Sequence, residues 1–458
     1  MSAVKALLAR KPTVLKVLSA SGQLGYGIPE QALAAGLARE PDFIGCDMGS
    51  VDPGPVYLGS GEMATSPSIT KRDLAAVLIG ARKLNVPLII GTAGTAGAAP
   101  HLEATLDMIR QIAREHSLHF RLATIRSDLT AARVGQALSA GELKALGGNL
   151  PITQADLDAC AHLVGQIGCA PFERALALEP DVIIAGRACD TAVFASLPKI
   201  LGFEMANVMH MAKIIECTSI CCEPGGRDAM LATLDAKGFA LESMNPARRA
   251  TPLSVAAHSL YEQADPISFT EPDGTLKVDA ARYTALDERR TQVTGATWQP
   301  ATRTTIKVEG SALVGHRAVL LAGTADPRFI AQLRPILATV EQTTRGLVAG
   351  DYEIYPRLYG LDGVALWTQA PGPQAAREVF ILIEIIARAP ELAMAAAKTF
   401  KQFLLHQGFS GRQCTGGNIA FPFTPPELVG GPAYRFAAYH VMPADDHEQL
   451  FPVSIEQI

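Results

Sequence analysis

Glycine and threonine crowd the segment PLIIGTAGTAGAAPHLEATLDMI, residues 87–109, between an apolar run and a helical pattern. Its glycines follow a G-x2-G-x2-G spacing, which differs from the dinucleotide fingerprint, and no P-loop lysine follows. Two interpretations are open: backbone amides and a helix N-terminus bind a carboxylate or phosphate, or the glycines only permit a tight turn. The first interpretation predicts these substrate-binding residues: Gly91, Thr92, Gly94, Thr95, Gly97 and His101. His101 is equally explained as a surface histidine.

The segment GRACD, residues 186–190, follows the apolar run DVIIA and joins Arg187 to Asp190. A charged side chain just past a buried strand needs a partner, and a guanidinium matches a carboxylate with two hydrogen bonds. Arg187 is therefore predicted to hold a substrate carboxylate. Asp190 has four explanations: the ion-pair partner of Arg187, a helix cap, a metal ligand or a catalytic base.

More acids and one lysine are candidates for proton transfer. Asp47 and Glu62 lie in GCDMGSVDPGPVYLGSGEMATS, residues 45–66, where Ser60 is a candidate substrate ligand. Each acid is predicted as a second general acid or base, or as a ligand of a divalent cation. Lys213, in HMAKIIECTSICCEPGGRD, becomes a base if burial lowers its pKa toward neutrality. Its alternative is a side chain that packs its stem on the core and reaches solvent.

The turn that ends this segment adds Glu223 and Arg227. Arg227 is predicted to bind substrate. A divalent-metal site for Mg²⁺ or Mn²⁺ is predicted from oxygen ligands, which hard cations prefer, at Asp47, Asp190 and Glu223. No haem, Fe–S cluster or flavin is expected.

Alternating strands and helices are predicted to position these residues. Short continuous apolar runs at 13–22, 41–50, 87–91, 120–129 and 181–185 are typical of parallel strands covered on both faces. A helix is predicted over 153–168, after a good N-cap residue. The pattern predicts an α/β fold with a doubly wound, mostly parallel, Rossmann-like sheet over residues 1–300, including an excursion at 240–300. A smaller α+β domain is predicted over 301–458.

Ligands of open α/β sheets bind beyond the carboxyl ends of the strands, which is where the polar residues above concentrate. The 458 residues carry a net charge of −5 without a basic run, so a nucleic-acid binder is not expected. No signal peptide and no apolar stretch of membrane-spanning length is apparent, so a cytoplasmic protein away from membranes is expected. The eight cysteines fit neither zinc nor a disulfide framework.

The same residues carry a resemblance to a family. The chain resembles the acyclic terpene utilisation protein A (AtuA) family in several long segments: PGPVYLGSGEMATS, VPLIIGTAGTAGAAPHLEATLDMIRQIAREH, DVIIAGRACDTAVFASLP, HMAKIIECTSICCEPGGRD, NPARRATPLSVAAHSLYE and RQCTGGNIAFPF. GRACD replaces the Val-Ala-Asp form of the terpene-cluster members, which indicates a sister branch. The resemblance therefore does not imply terpene chemistry.

The resemblance implies a lyase, hydratase or isomerase that acts on a small branched di- or tricarboxylate, or on its CoA ester, in acid catabolism. It also implies a small accessory subunit, and we expect a homo-oligomer. Arg187 and the amides after Gly91 would hold carboxylates, and Asp190 or Lys213 would be the base. One alternative is a non-catalytic subunit that binds acyl-CoA or carboxylates for a partner enzyme. Another is a nucleotide-dependent transferase or ligase that uses the glycine-rich segment.

Overall fold

The computed structural model describes residues 1–148, 151–261, 265–364, 376–413 and 416–458. The chain forms two compact units: Met1–Ala312 with Phe436–Ile458, and Leu313–Arg435. Both ends of the predicted 301–458 domain thus belong to the first unit. The reason is strand pairing, because residues 308–312 pair with 160–165 and the C-terminal strand pairs with residues 121–125.

The helices of the described ranges, in chain order, are α1 (Ala3–Arg10), α2 (Glu30–Leu37), α3 (Pro55–Ser60), α4 (Pro67–Leu84), α5 (Ala99–Glu115), α6 (Ala131–Ser139), α7 (Gln154–Asp158), α8 (Cys169–Ala177), α9 (Asp190–Ile200), α10 (Met205–Ile215), α11 (Pro252–His258), α12 (Pro327–Ala331), α13 (Leu333–Leu347), α14 (Pro390–His406) and α15 (His447–Leu450). A short 3-10 helix covers Thr218–Cys221. None of the helices in the described ranges is long and apolar enough to cross a membrane.

The strands are β1 (Leu15–Ser21), β2 (Phe43–Asp47), β3 (Leu88–Gly91), β4 (Arg121–Ile125), β5 (Lys144–Ala145), β6 (Cys160–Gly165), β7 (Val182–Ala185), β8 (Met230–Leu234), β9 (Phe239–Ser243), β10 (Ser268–Glu271), β11 (Gly274–Lys277), β12 (Arg282–Ala285), β13 (Arg290–Thr294), β14 (Thr297–Pro300), β15 (Thr305–Thr324), β16 (Tyr352–Tyr359), β17 (Val379–Ala387), β18 (Glu427–Pro443) and β19 (Val453–Gln457). The chain passes between the two units within β15 and within β18.

A ten-stranded sheet of order β12-β13-β9-β8-β1-β2-β3-β7-β4-β19 organises the first unit. The five strands predicted from apolar runs, β1, β2, β3, β7 and β4, are adjacent in it and parallel to one another. The strands on either side of this group run antiparallel. The α/β fold is therefore confirmed, but the sheet is mixed rather than mostly parallel.

Helices bury apolar side chains on both faces of the parallel strands. One core packs α2, α4 and α5 against the sheet, and another packs α1, α8, α9 and α10. Side chains that alternate along one strand enter different cores, as Val17 and Leu18 of β1 do. The order of the parallel strands along the sheet differs from the 3-2-1-4-5 order of a Rossmann fold, so a Rossmann-like topology is not established.

One predicted helix is largely wrong. The capping box of Thr153 and Asp156 starts a helix as the sequence indicates, but α7 ends at Asp158. The chain then forms β6, because this segment finds an antiparallel partner in the first part of β15. Local propensity favoured a helix, and the strand pairing across about 150 residues overrides it.

The predicted excursion contains strands as well as a helix. Strands β10, β11 and β14 form a small antiparallel sheet, and β9, β12 and β13 extend the large one. Residues 262–264 of the excursion lie outside the described residues. No disulfide joins the cysteines that the structure describes, and Cys414 lies outside them.

In the second unit, β17 lies between β15 and β16 and pairs antiparallel with both, and these strands bury one face against α13 and α14. Every second residue of β17 from Val379 to Ala387 enters this core. That alternation is the signature of a strand with one covered face, as expected for an α+β arrangement.

Candidate functional site

A cavity of about 540 Å³ opens in the first unit at the carboxyl edge of the parallel strands. We call it the main cavity. The loop from β7 to α9, the end of α10, the turn after β10 and the start of β15 all supply side chains to it. Its charged lining residues are Asp52, Arg187, Asp190, Lys213, Glu216, Glu271 and Lys307.

Arg187 is buried and forms a two-pronged ion pair with Glu309 of β15. Its Nε donates to one carboxylate oxygen at 2.7 Å and its Nη2 to the other at 3.3 Å. Burial raises the pKa of Glu309, but Arg187 and Lys307 outweigh that effect and hold the pKa below its usual value. The ion-pair partner of Arg187 is thus Glu309, and Asp190 adds a second negative charge nearby.

The remaining guanidinium nitrogen of Arg187 has weaker partners. Nη1 donates to the Thr92 hydroxyl at 3.4 Å and to the Ala188 carbonyl at 3.3 Å. Both distances are long for hydrogen bonds of a charged donor. Nη1 is also the one of the three nitrogens whose partners are neutral rather than the Glu309 carboxylate, so it is the one best able to exchange them for a ligand oxygen.

Lys213 is buried near the end of α10 and pairs with Glu216 one turn later. Burial lowers the pKa of Lys213, but the charge and hydrogen bond of Glu216 reverse the effect, so the pKa lies above its usual value. The prediction of a lysine base with a lowered pKa is wrong for this reason. Lys213 thus places a positive charge at the cavity wall, beside Glu216.

Two further carboxyl groups of the main cavity have raised pKa values. Burial raises the pKa of Glu216 to about 8 although Lys213 opposes the shift. Burial also raises the pKa of Glu271 to about 7, although the Thr191 hydroxyl donates to its Oε2 at 2.9 Å. The charge of Asp190 raises both values further. Two carboxyl groups with raised pKa values thus line one cavity.

A second cavity, of about 400 Å³, lies beside the ends of β1 and β2. We call it the side cavity. Ser50, Asp52 and Asp190 line both cavities. Asp47 and Arg227, both predicted site residues, line the side cavity. Burial raises the pKa of Asp47 well above its usual value, and the charge of Asp190 adds to the shift.

The glycine-rich loop does not line either cavity. The amide of Thr92 donates to the Gly186 carbonyl at 2.9 Å, and the amide of Gly97 donates to the Ala93 carbonyl at 3.1 Å. The amide of Ala99, at the start of α5, donates to Asp128 at 2.8 Å. The structure therefore gives no support to direct anion binding by this loop, or to the nucleotide alternative based on it.

The glycines instead allow two loops to touch. A Cβ at Gly97 would lie 2.1 Å from the backbone nitrogen of Arg187, and the residue has φ +70°. Gly94, with φ +63°, leaves no room for a Cβ against the backbone of His101. His101 is buried in α5, where its Nε2 lies 3.1 Å from the Glu62 carbonyl, and burial lowers its pKa to about 4. It is not a surface histidine.

Several predicted residues lie away from the cavities. Gly91, Gly94, Thr95, Ser60, Glu62 and Glu223 do not line either one. Glu62 and Glu223 have exposed side chains, and the Ser60 hydroxyl accepts a hydrogen bond from the Glu62 amide. Among the residues that the structure describes, no group of three or more His, Cys, Asp or Glu side chains is placed to hold a metal ion. The predicted set of Asp47, Asp190 and Glu223 is thus not assembled.

Sequence reasoning missed Glu216, Glu271, Glu309 and Lys307. A signal existed for three of them. Lys307 and Glu309 are two residues apart in the segment TRTTIKVEG, residues 302–310, so they share a face if that segment is a strand. They also form an ion pair at 2.8 Å. Glu216 is three residues after Lys213 in a quoted segment, which is the spacing of neighbours on a helix. Glu271 had no local signal.

Comparison with known proteins places the chain in one family. No curated protein and no solved structure matches it. The family model described as acyclic terpene utilisation family protein AtuA matches residues 71–423, which is most of the chain. The matched range includes Arg187, Lys213, Glu271 and Glu309 but begins after Asp47. The chain therefore belongs to the acyclic terpene utilisation (AtuA) family.

Proposed function

We propose that the protein is an acid–base enzyme, a lyase, hydratase or isomerase, that acts on a branched carboxylic acid or its CoA ester. The observation that carries this proposal is the convergence of Glu271, Asp190 and Lys213 on the main cavity. Acids and cations that meet at the carboxyl edge of parallel strands are the arrangement expected of a proton-transfer site.

Glu271 is the proposed general acid or base. A catalytic group is most effective when its pKa lies near the working pH, and burial brings the pKa of Glu271 to about 7. The hydrogen bond from the Thr191 hydroxyl fixes one of its carboxyl oxygens. Glu216 is a weaker candidate because it is occupied by Lys213.

Lys213 and the Nη1 group of Arg187 are proposed to bind the negative charge of the substrate. Removal of a proton beside a carboxylate or thioester places charge on the carbonyl oxygen, and fixed cations stabilise that charge. In an elimination, the base takes the carbon-bound proton while a protonated acid gives its proton to the departing hydroxyl, which leaves as water. Asp190, at the first position of α9, is the proposed second acid or base.

The test is isotope exchange in D2O, followed by proton NMR. Citrate, 3-hydroxy-3-methylglutarate and methylsuccinate serve as probes, since each has exchangeable protons beside a carboxylate. We expect wild-type protein to exchange those protons of at least one probe or to form an alkene from it. Glu271→Gln should slow the reaction at least about 100-fold, as loss of a general base typically does.

Glu62→Gln is the matched control, because Glu62 is an exposed acid that does not line either cavity. It should react like wild type. If probes bind but no proton exchanges, the protein is a binding subunit and the enzyme proposal fails. If Glu271→Gln keeps full activity, the base is another residue.

A further inference from the structure

The two cavities differ in lining as well as in position. Seven charged residues line the main cavity, whereas four line the side cavity, which also has an apolar wall of Tyr26, Ile28, Pro53 and Ile220. Ile28 is buried, while Tyr26 and Ile220 are nearly half-exposed, which places them toward the opening. The side cavity is therefore suited to a hydrocarbon portion of a ligand.

The cavities adjoin. Ser50, Asp52 and Asp190 line both, so a ligand in the main cavity that passes these residues enters the side cavity. A binding cavity of about 300–1,000 Å³ is typical for a ligand of drug size. At about 540 Å³, the main cavity alone is already ample for a di- or tricarboxylate. The further 400 Å³ is unexplained by such a compound.

Asp47 adds an independent observation. It is more than nine-tenths buried and lines the side cavity, and its Oδ1 has no hydrogen-bond partner among the described residues. A buried polar atom without a partner is costly, so a ligand group that hydrogen-bonds to it lowers that cost. A polar substituent of the ligand beside Asp47 would remove this cost.

We infer that the substrate is a two-part compound, with a carboxylate end in the main cavity and an acyl chain that continues into the side cavity. A hydroxyl group of that chain lies beside Asp47. This inference rests on the proposed function for the carboxylate end and extends it, since it assigns a longer substrate than a small branched di- or tricarboxylate. The apolar wall of Ile28 and Ile220 contacts the chain.

The test measures how binding depends on chain length. Methylsuccinate, butylsuccinate and octylsuccinate carry the same two carboxylates on chains of increasing length, and isothermal titration calorimetry gives their Kd values. Each methylene that the side cavity buries should tighten binding about two- to fourfold. The gain should cease once the cavity is full.

Ile220→Trp narrows the side cavity at a partly exposed position. This variant should bind methylsuccinate like wild type and lose most of the gain from butyl and octyl chains. Ile69→Trp is the matched control, because Ile69 is similarly exposed on α4 and does not line either cavity. It should behave like wild type, and thermal melting verifies that both variants fold.

The outcomes separate the two proposals. If methylsuccinate binds and chain length has no effect, the two-part substrate is refuted and the proposed function is untouched. The two-part substrate is also refuted if Ile220→Trp leaves the chain-length gain intact, or if it weakens all three probes equally. If none of the succinates binds although citrate or 3-hydroxy-3-methylglutarate reacts, the two-part substrate is refuted and the proposed function stands.

Discussion

Two loops leave neighbouring parallel strands at the same edge of the large sheet, and they differ in what they reach. The loop after β3 is rich in glycine and fully buried, whereas the loop after β7 brings Arg187 and Asp190 to the main cavity. The two are packed together, since amides of Thr92 and Ala93 donate to carbonyls of Gly186 and Ala185. Glycine density after β3 marks a close approach of two backbones, and the ligand-facing groups come from the other loop.

The largest expected effect is a loss of stability at the point where the two loop backbones touch. In Gly97→Ala, the new Cβ would meet the backbone of Arg187 at 2.1 Å in a residue with φ +70°. Backbone atoms cannot move aside as a flexible side chain does, so we expect a loss of more than about 4 kcal/mol in the free energy of unfolding. Urea denaturation measures it.

Gly141→Ala separates crowding from backbone strain. Gly141 has φ +71°, but no heavy atom lies within 4 Å of the place that a Cβ would take, so only the left-handed conformation is penalised. We expect a loss of about 1–2 kcal/mol. If Gly97→Ala costs no more than Gly141→Ala, crowding between the two loops is not what requires glycine at residue 97.

The second effect concerns the loop that reaches the cavity. Arg187→Met leaves the buried Glu309 with only Lys307 as a cation among the ion pairs of the described residues. Removal of one partner of a buried ion pair typically lowers the free energy of unfolding by about 3–5 kcal/mol. The double variant Arg187→Met/Glu309→Leu removes both charges, and we expect it to regain more than half of that loss.

A double-mutant cycle from urea denaturation checks this. If the double variant is as unstable as the sum of the two single variants, Glu309 does not depend on Arg187 and the ion pair is not what holds the arginine. If instead the double variant is stable but no longer binds substrate, Arg187 also contacts the ligand.

The sequence predicted which residues lie at the carboxyl edge of the parallel strands, but not the residues from later segments that complete the site. Parallel strands end at one edge of a sheet, so Asp47, Arg187 and Asp190 are expected together. Asp190 lines both cavities, whereas Arg187 lines the main cavity and Asp47 lines the side cavity. Glu271 and Glu309 arrive from segments about 80 and 120 residues further along, through strand pairing and packing that no local pattern encodes. The state of charge of Lys213 depends on one such three-dimensional detail, the direction in which Glu216 points.

The third effect is a dependence of the stability on pH. The carboxyl group of Glu271 has a pKa of about 7 in the folded protein and an ordinary value of 4.5. The folded state thus holds this proton to higher pH than the unfolded state does. The protonated carboxyl group therefore adds to the free energy of unfolding. This contribution is fully present below pH 4.5 and is lost as the pH rises through about 7.

Glu271→Gln removes the titrating group and keeps its shape. We expect the Tm of the variant, relative to wild type, to rise between about pH 5 and pH 8. Thermal melts at several pH values measure the difference. A difference that stays constant with pH would mean that Glu271 titrates normally and is not the group poised for proton transfer.

The smallest effect belongs to the hydroxyl that joins the two loops. Thr92 Oγ1 accepts from the Ala188 amide at 3.2 Å and receives the long contact from Arg187 Nη1. Thr92→Ala should cost about 1 kcal/mol, because the Ala188 amide loses its buried acceptor. Thr92→Ser keeps the hydroxyl and removes β-branching at φ +52°, so a change within about 0.5 kcal/mol is expected. Equal losses in the two variants, measured by urea denaturation, would show that the hydroxyl adds nothing to the contact between the loops. The close packing at the glycines would then be sufficient to place Arg187 at the cavity.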